Sequence, residues 1–302
     1  MKTLLLYNPK SGNEKFNKRI NKIKERFLKE NQQLDIYASK KPGDLENQAF
    51  LMASQYDRYI VSGGDGSINE VVNGLMKSKI RPALGIIPGG TMNDTANILG
   101  IPKNFNKMLD LFLKSKPIKM DINKLNERHF VYVAAVGYLT EVSYEAPSKL
   151  KKKIGTLAYL KYGIKSLRKR PHYNLRITYH DKIVEDDLEL VIVLAAKRVA
   201  GLNLIGFSKK AKLNDGRVEL RTFKGRNLGL TLQVLWFALT FGRKQYKQNH
   251  IRSDKIKIEF IDNCNLAWNL DGEKGIVGNC EITILKEAIE VYASKRAKKK
   301  YF

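Results

Sequence analysis

The sequence is short of cysteine, of histidine and of acid, and each shortage narrows what the chain can be. Two of its 302 residues are cysteine, Cys264 and Cys280. Two thiols cannot make a disulfide framework, and they point to a reducing compartment. Both read as buried apolar residues near strand ends. The four histidines, His129, His172, His180 and His250, show no metal-ligand spacing and read as surface groups or simple hydrogen bonders. Long apolar runs are missing too. Leu4–Leu6 is too short for the core of a signal peptide. The longest uncharged stretch, Asn227–Gly242, carries Gly229, Thr231 and Gln233 and falls short of the ~20 residues a membrane span needs. These absences predict a soluble, cytoplasmic protein. There is no internal repeat, and Lys295–Lys300 is the one low-complexity segment. No G-x-x-x-x-G-K-[ST] is present, which excludes a Walker-type nucleotide site. No G-x-G-x-x-G follows a strand signal, which argues against a hydride-transferring dinucleotide enzyme.

The deficit of acid is the largest imbalance. Asp and Glu number 30 against 55 Lys and Arg, a net charge of +25. Residues 1–122 hold 20 basic and 12 acidic groups, net +8; residues 123–302 hold 35 and 18, net +17. An anionic partner follows for the second part: a membrane surface, nucleic acid or phosphates. No recognised RNA- or DNA-binding motif accompanies the charge, so no nucleic acid is expected. With 43% hydrophobic residues the chain can build real cores, and its length suits one large domain or two ordinary ones.

The first part alternates strand and helix signals. Leu4–Tyr7 ends at Asn8-Pro9-Lys10-Ser11-Gly12, and Phe16, Ile20, Ile23 and Phe27 then mark one helix face. Tyr59-Ile60-Val61 ends at Ser62-Gly63-Gly64-Asp65-Gly66-Ser67. Ile68, Val71, Val72, Leu75 and Met76 follow at helical spacing. Leu84–Ile87 ends at Pro88-Gly89-Gly90-Thr91-Met92-Asn93-Asp94, with a helix starting near Asp94. Such units predict a parallel sheet with ligands at the strand C-terminal ends. After Asp121 the texture becomes that of a β-rich, mainly antiparallel domain. Strands are expected at 130–136, 173–179, 188–196, 218–223, 256–261, 266–270 and 282–285, and helices at 159–167 and 228–241. The expected fold is therefore α/β with two domains: residues 1–124, rejoined by 288–302, and residues 125–287.

The glycine loops carry the chemistry. Glycines let backbone N–H groups approach an anion closely, and a following helix adds its positive end. An Asp inside such a loop repels a bare phosphate but suits one bridged by Mg²⁺. A strand-to-helix turn that merely needs glycine is the plainer reading of any one loop. Three loops at successive strand ends favour a shared phosphate site.

Together, Asn8–Gly12, Gly63–Gly74 and Pro88–Asp94 resemble the three signature segments of the diacylglycerol kinase catalytic-domain family, nearest its soluble bacterial lipid kinase branch. Leu270-Asp271-Gly272-Glu273 and Ala211–Gly216 resemble its later D-G-E and A-x-x-x-D-G segments. The resemblance implies a two-domain kinase with an α/β nucleotide-binding domain and a β-rich lipid-binding domain. It implies ATP as phosphate donor, Mg²⁺ as cofactor, and transfer to a hydroxyl of diacylglycerol or a related membrane lipid. Residue by residue, it places Asn8, Pro9, Lys10, Ser11, Gly12, Ser39, Gly63, Gly64, Asp65, Gly66, Ser67, Ile68, Asn69 and Thr91 at nucleotide-contact positions. It places Asp65 and Asp94 at the Mg-ATP, and Glu273 as general base. A second, structural Mg²⁺ falls to Asp215 with backbone carbonyls of Lys212 or Leu213 and of Arg217. Asp121 matches an acidic position near the domain junction. Ser67 and Ser39 stand where Thr is common, keeping the hydroxyl. Lys209 and Lys210 stand where a Pro-acidic pair is frequent, so two cations flank the second metal position.

Chemistry supports Glu273 independently. A lipid hydroxyl is a poor nucleophile, and a carboxylate within reach can accept its proton. Asp271-Gly272 alone is also an ordinary hairpin turn. Asp271 reads as a turn residue or as a partner behind Glu273. Tyr162 and Lys165 suit either a head-group contact or a solvated face. Basic clusters at 149–153, 168–170, 209–212 and 243–247 surround the apolar stretch 228–241, which carries Trp236 and Phe237. That pattern fits docking on an anionic membrane surface or a core helix with solvated basic flanks. The expected location is cytoplasmic, peripheral at the inner face of the cell membrane, and a homodimer stays open. The competing readings are an NAD kinase-like enzyme and a non-catalytic binder of anionic membrane or nucleic acid.

Overall fold

In the computed structural model, which describes residues 1–9, 15–137, 173–204, 206–207, 211–224, 228–243, 249–262 and 264–302, the chain divides into two units. One is Met1–Ile122 with Lys286–Phe302; the other is Asn123–Leu285. The expected helix at 159–167, with Tyr162 and Lys165, and the basic clusters at 149–153, 168–170 and 209–210 lie outside the described residues, as do Lys10, Ser11, Gly12 and His172.

The first unit runs β1 (Lys2–Tyr7), α1 (Lys15–Lys29), β2 (Gln33–Ala38), α2 (Asp44–Leu51), β3 (Arg58–Gly63), α3 (Asp65–Lys77), β4 (Ala83–Pro88), α4 (Asp94–Ile98), α5 (Phe105–Lys114) and β5 (Ile118–Leu125), the last leading into the second unit. The strand order β2-β1-β3-β4 is parallel throughout. Every residue of β3 is buried, as a strand covered on both faces requires. Ile23 and Phe27 of α1 pack with Leu5, Ile60, Ile87 and Phe112 in one core. Gly74 sits inside α3 because α2 crosses it closely: a Cβ there would lie 2.2 Å from the Glu46 carbonyl oxygen and 2.8 Å from the Ala49 Cβ. Arg58 is fully buried. Its guanidinium donates to Thr3 Oγ1 at 3.0 Å, to the Phe112 carbonyl and to Gln32, and it lies 5.2 Å from the Phe27 ring centroid.

The second unit continues with β6 (Arg128–Phe130), β7 (Val133–Gly137), β8 (Tyr173–Tyr179), β9 (Lys182–Leu188), β10 (Leu190–Leu194), the short pair β11 (Arg198–Val199) and β12 (Leu202–Asn203), β13 (Val218–Phe223), α6 (Leu228–Leu239), β14 (His250–Ser253), β15 (Lys255–Phe260), β16 (Ala267–Leu270), β17 (Glu273–Val277) and β18 (Cys280–Val291). One antiparallel sheet has the order β14-β13-β10-β7-β16-β17. Within this unit β18, β15, β8 and β9 pair antiparallel in turn. Buried side chains of both sets, among them Val191, Leu220 and Trp268 of the first and Ile177, Ile258 and Ile282 of the second, form one core. Cys280 joins it and Cys264 packs at its margin; both thiols are free, and burial pushes that of Cys280 up.

Two expected strands changed extent. The run 130–136 is two strands, because the N–H groups of Val131 and Tyr132 turn to the Asp271 carboxylate. β18 continues past Leu285 to Val291, where it pairs with Leu84 of β4. The helix α7 (Lys295–Tyr301) ends the first unit, capped by Ser294, whose hydroxyl oxygen accepts from Ala297 N. Among the described residues no helix is long and apolar enough to cross a membrane.

Candidate functional site

The parallel sheet delivers its loops to a single edge. Tyr7 lies opposite Ala38 and Ser62, and Gly63 opposite Pro88. The chain leaves each strand still hydrogen-bonded to its neighbour: Asn8 N donates to Ser62 O, Ser39 N to Tyr7 O and Gly89 N to Gly63 O. Asn8, Pro9, Ser39, the segment Gly63–Asn69 and Thr91 are thereby gathered at the C-terminal ends of β1, β2, β3 and β4. Ser67, Ile68 and Asn69 are buried, and the Ile68 N–H is spent within the helix on Gly64 O.

The second and third glycine loops are built against each other. Gly90 carries no side chain because a Cβ would lie 2.6 Å from Gly64 Cα. Asn93, held in the left-handed region at φ 50°, closes its own loop: its side-chain oxygen accepts from Gly90 N and its amide donates to Gly90 O. Asp65 then ties the two loops together. Its Oδ2 accepts from Asp94 N and its Oδ1 from Thr95 N, each at 3.0 Å, so it caps the first turn of α4. Glu70 does the same for α2, accepting from the N–H groups of Gly43 and Leu45. Burial nevertheless pushes its carboxyl up, against those bonds. This capping by Asp65 and Glu70 has no local sequence signal, since the amides they accept from lie far along the chain.

Asp94 is fully buried, and its backbone touches the Asp65 carboxylate. Each Asp65 oxygen accepts a single N–H bond and keeps a lone pair. A carboxylate with spare lone pairs beside glycine-rich backbone is a hard oxygen donor, which fits Mg²⁺ carried by phosphates. Asp121, on β5, accepts from Glu287 N at 2.7 Å and belongs to the packing of β5 on β18.

In the second unit the D-G-E segment is a two-residue hairpin turn. Asp271 and Gly272 have φ of 53° and 96°, and Leu270 pairs with Glu273. Glu273 opens β17 on an exposed position. Asp271 is buried, and its carboxylate accepts from Val131 N at 2.7 Å, Tyr132 N at 2.9 Å and Val133 N at 3.1 Å. The turn is therefore clamped from a segment some 140 residues away, and the base candidate grows from a fixed point. Asp271→Asn should lower stability by about 1–3 kcal/mol, because an amide group would face a buried N–H donor. A shifted midpoint in denaturant unfolding checks this, and an unchanged midpoint would mean that the clamp contributes little.

Asp215, the acid expected at the second Mg²⁺, is held by its own loop and by an arginine. Its oxygens accept from Lys212 N and Arg217 N, each at 3.0 Å, and its Oδ2 is ion-paired with the Arg252 guanidinium at 2.9 Å. Arg252 also reaches Glu219, which holds His250 at 2.5 Å. Among the described residues the guanidinium of Arg252 sits on Oδ2 alone, and Oδ1 accepts only from Arg217 N. Among the described residues no cluster of three or more His, Cys, Asp or Glu forms a metal site.

Comparison with known proteins places these loops. The profile of the diacylglycerol kinase catalytic domain matches residues 2–125, the span that holds all three glycine loops. A diacylglycerol kinase of Staphylococcus carnosus is 32% identical, over 97% of this chain and 95% of its own. The chain belongs to the diacylglycerol kinase family. A diacylglycerol kinase of Staphylococcus saprophyticus is 33% identical over 95% of this chain and 94% of its own. Among crystal structures, a diacylglycerol kinase from Bacillus anthracis str. Sterne superposes with a TM-score of 0.75 at 25% identity, covering 98% of each chain. A second chain from that organism reaches 0.82 at 28% identity, over 98% and 96%. The match to whole relatives extends the family through the second unit.

Proposed function

We propose that the chain is an ATP-dependent lipid kinase that transfers the γ-phosphate of Mg-ATP to a hydroxyl of diacylglycerol or a related membrane lipid. The observation that supports this best is the gathering of the glycine loops at one sheet edge, with the Asp65 carboxylate of one loop accepting from Asp94 N and Thr95 N after the next. There the backbone N–H groups of Gly63–Gly66 and the positive end of α3 would hold phosphate oxygens. Asn8, Pro9, Lys10, Ser11, Gly12, Ser39 and Thr91 would line the rest of the nucleotide. Asp65 and Asp94 would hold the Mg²⁺, which when bound neutralises phosphate charge. Glu273 would take the proton of the lipid hydroxyl as its oxygen bonds to the γ-phosphorus. The bond from that phosphorus to the β-phosphate oxygen breaks, and ADP leaves. Asp271 positions the turn and does not react. A second, structural Mg²⁺ would fall to Asp215 with backbone carbonyls of Lys212 or Leu213 and of Arg217, beside the Arg252 ion pair at Oδ2. The enzyme would work at the inner face of the cell membrane, where its substrate resides.

A lipid panel separates the readings. With labelled ATP and detergent-dispersed lipids, thin-layer chromatography should show a labelled lipid phosphate from diacylglycerol and no label on NAD. Label on NAD alone would make the protein an NAD kinase. No ATP turnover on any acceptor would leave a non-catalytic binder of anionic surfaces.

A further inference from the structure

Three of the helices that follow strands of the parallel sheet begin at its loop-bearing edge, and α3 supplies the carboxylate that caps each of the other two. Asp65 caps α4. Glu70, further along the same helix, accepts from Gly43 N and Leu45 N at the start of α2. Neither α2 nor α4 is capped by the residue at its own start. Gly43, at φ 78°, has no side chain, and that of Asn93 is turned to Gly90. Glu70 holds its bonds against an opposing force. Burial pushes its carboxyl up, and Asp44 and Glu46 of α2 add negative charge beside it. Packing does not need it. α2 already lies so close to α3 that Gly74 has no room for a Cβ, and Glu46 pairs with Lys77 of α3 at 2.8 Å. An apolar residue at position 70 would avoid the desolvation and leave that packing in place. What Glu70 adds is a hold on the entry to α2, the loop Ser39–Gly43.

That loop is tied from its other side as well. Ser39 N donates to Tyr7 O at 2.9 Å, and Asp44 Oδ2 accepts from Lys40 N at 2.7 Å and from the Tyr37 hydroxyl at 2.9 Å. The bond from Lys40 N holds the Asp44 carboxyl below its usual range. Two carboxylates, Asp44 in the loop's own sequence and Glu70 on α3, therefore set the path of residues 39–45. β2 delivers this loop to the edge that carries the glycine loops. Through Glu70 it is fixed to α3, the helix whose positive end would hold phosphate oxygens. Ser39 and the phosphate loop thus share one mount. Groups preset in this way spare a ligand the ordering that binding would otherwise demand.

We infer that Glu70 is a positioning residue for the nucleotide: by holding the entry of α2 on α3, it presets the Ser39–Gly43 loop against the phosphate site. This rests on the reading of the glycine-loop edge as the ATP site, and the lipid acceptor plays no part in it. The full-length protein is titrated with Mg-ATP in a calorimeter, without lipid, and assayed separately on detergent-dispersed diacylglycerol. Glu70→Ala should weaken Mg-ATP binding about tenfold, the size expected for a lost cap, and raise the KM for ATP to match. The kcat at saturating ATP and the KM for diacylglycerol should stay within about twofold of wild type. Glu70→Gln keeps an oxygen that can accept one of the two N–H groups, so it should recover part of the affinity. Asp44→Ala frees the loop from its other side and should also weaken Mg-ATP binding. The double variant should lose less than the product of the two factors, because both changes act on one loop. Hydrogen exchange over residues 39–45 should quicken in both single variants, and Mg-ATP should slow it in the wild type. Where Glu70→Ala fails to fold, Glu70→Gln and Asp44→Ala decide by the same readings. Unchanged Mg-ATP affinity in the variants, or a fall in kcat with the KM for ATP unchanged, would overturn the inference. So would effects that multiply in full. Glu70 would then be the cap of α2 and nothing more, with the ATP reading left standing. No Mg-ATP binding by the wild type would strike that reading and the inference with it.

Discussion

Glu273→Gln should lower kcat by about 10²–10⁴-fold, the range for removing a general base, while ATP affinity changes little. The reasoning is chemical first. The hydroxyl of a neutral lipid holds its proton far above neutral pH, so attack on phosphorus needs an acceptor for that proton as the new bond forms. Glutamine keeps the size and the carbonyl oxygen of the side chain but cannot take up a proton. The fold makes the test clean. Glu273 is exposed at the first residue of β17, while the bonds that fix the turn belong to Asp271, whose carboxylate accepts three backbone N–H groups. The substitution touches none of them, so thermal unfolding should stay at the wild-type temperature. Single-turnover rates with dispersed diacylglycerol, beside calorimetric ATP titration, measure the two effects separately. Normal turnover by the glutamine variant would remove Glu273 from the chemistry and leave it as a hairpin residue.

The inner strands β1, β3 and β4 of the parallel half were legible because they are covered on both faces, whereas the edge strand β2, nowhere fully buried, gives no such run. Continuous apolar runs ending in glycine, as in Tyr59–Gly63, have few other solutions, and the helix face Ile68, Val71, Val72 and Leu75 is buried as its spacing predicts. The antiparallel half was legible where one face is wet: Tyr173–Tyr179 alternates buried and exposed residues at its start and is a strand over that span. Strands such as β9, with Glu185, Asp186 and Asp187 in a row, and β17, with Glu273, Lys274 and Gly275, carry no such pattern and owe their state to their neighbours. The site divides in the same way. Glycines at strand ends announce a loop near an anion, so the gathered edge could be read. What Asp65, Glu70 and Asp271 do with their carboxylates could not. Each accepts from backbone N–H groups brought close only by tertiary folding, and a turn signal such as Asp271-Gly272 gives no hint of a clamp on Val131–Val133. The Arg252 guanidinium at Asp215 is a further case, since nothing in Asn214-Asp215-Gly216 points to a residue 37 positions on.

Asp65→Ala should abolish phosphoryl transfer and most Mg²⁺-dependent ATP affinity, and the structure requires a second variant to say why. Asp65 has two tasks. Its oxygens cap α4 through Asp94 N and Thr95 N, and under the proposed function its remaining lone pairs face Mg²⁺. Alanine removes both. Loss of a cap of this kind costs roughly 0.5–2 kcal/mol, enough to loosen the loop that carries Asp94 and to mimic loss of a metal ligand. Asparagine separates the tasks. Its carbonyl oxygen can still accept from Thr95 N while its amide leaves Asp94 N without an acceptor, so about half of the cap survives and stability should fall between wild type and alanine. It carries no charge, however, and a neutral amide is a far weaker ligand than a carboxylate for Mg²⁺ bridged to phosphate. Asp65→Asn should therefore resemble alanine in calorimetric ATP titrations with Mg²⁺ and resemble wild type more closely in thermal unfolding. If asparagine instead restores Mg²⁺-dependent ATP binding along with stability, then Asp65 is a strut between two glycine loops, and the metal must be held by Asp94 and groups not yet assigned to it.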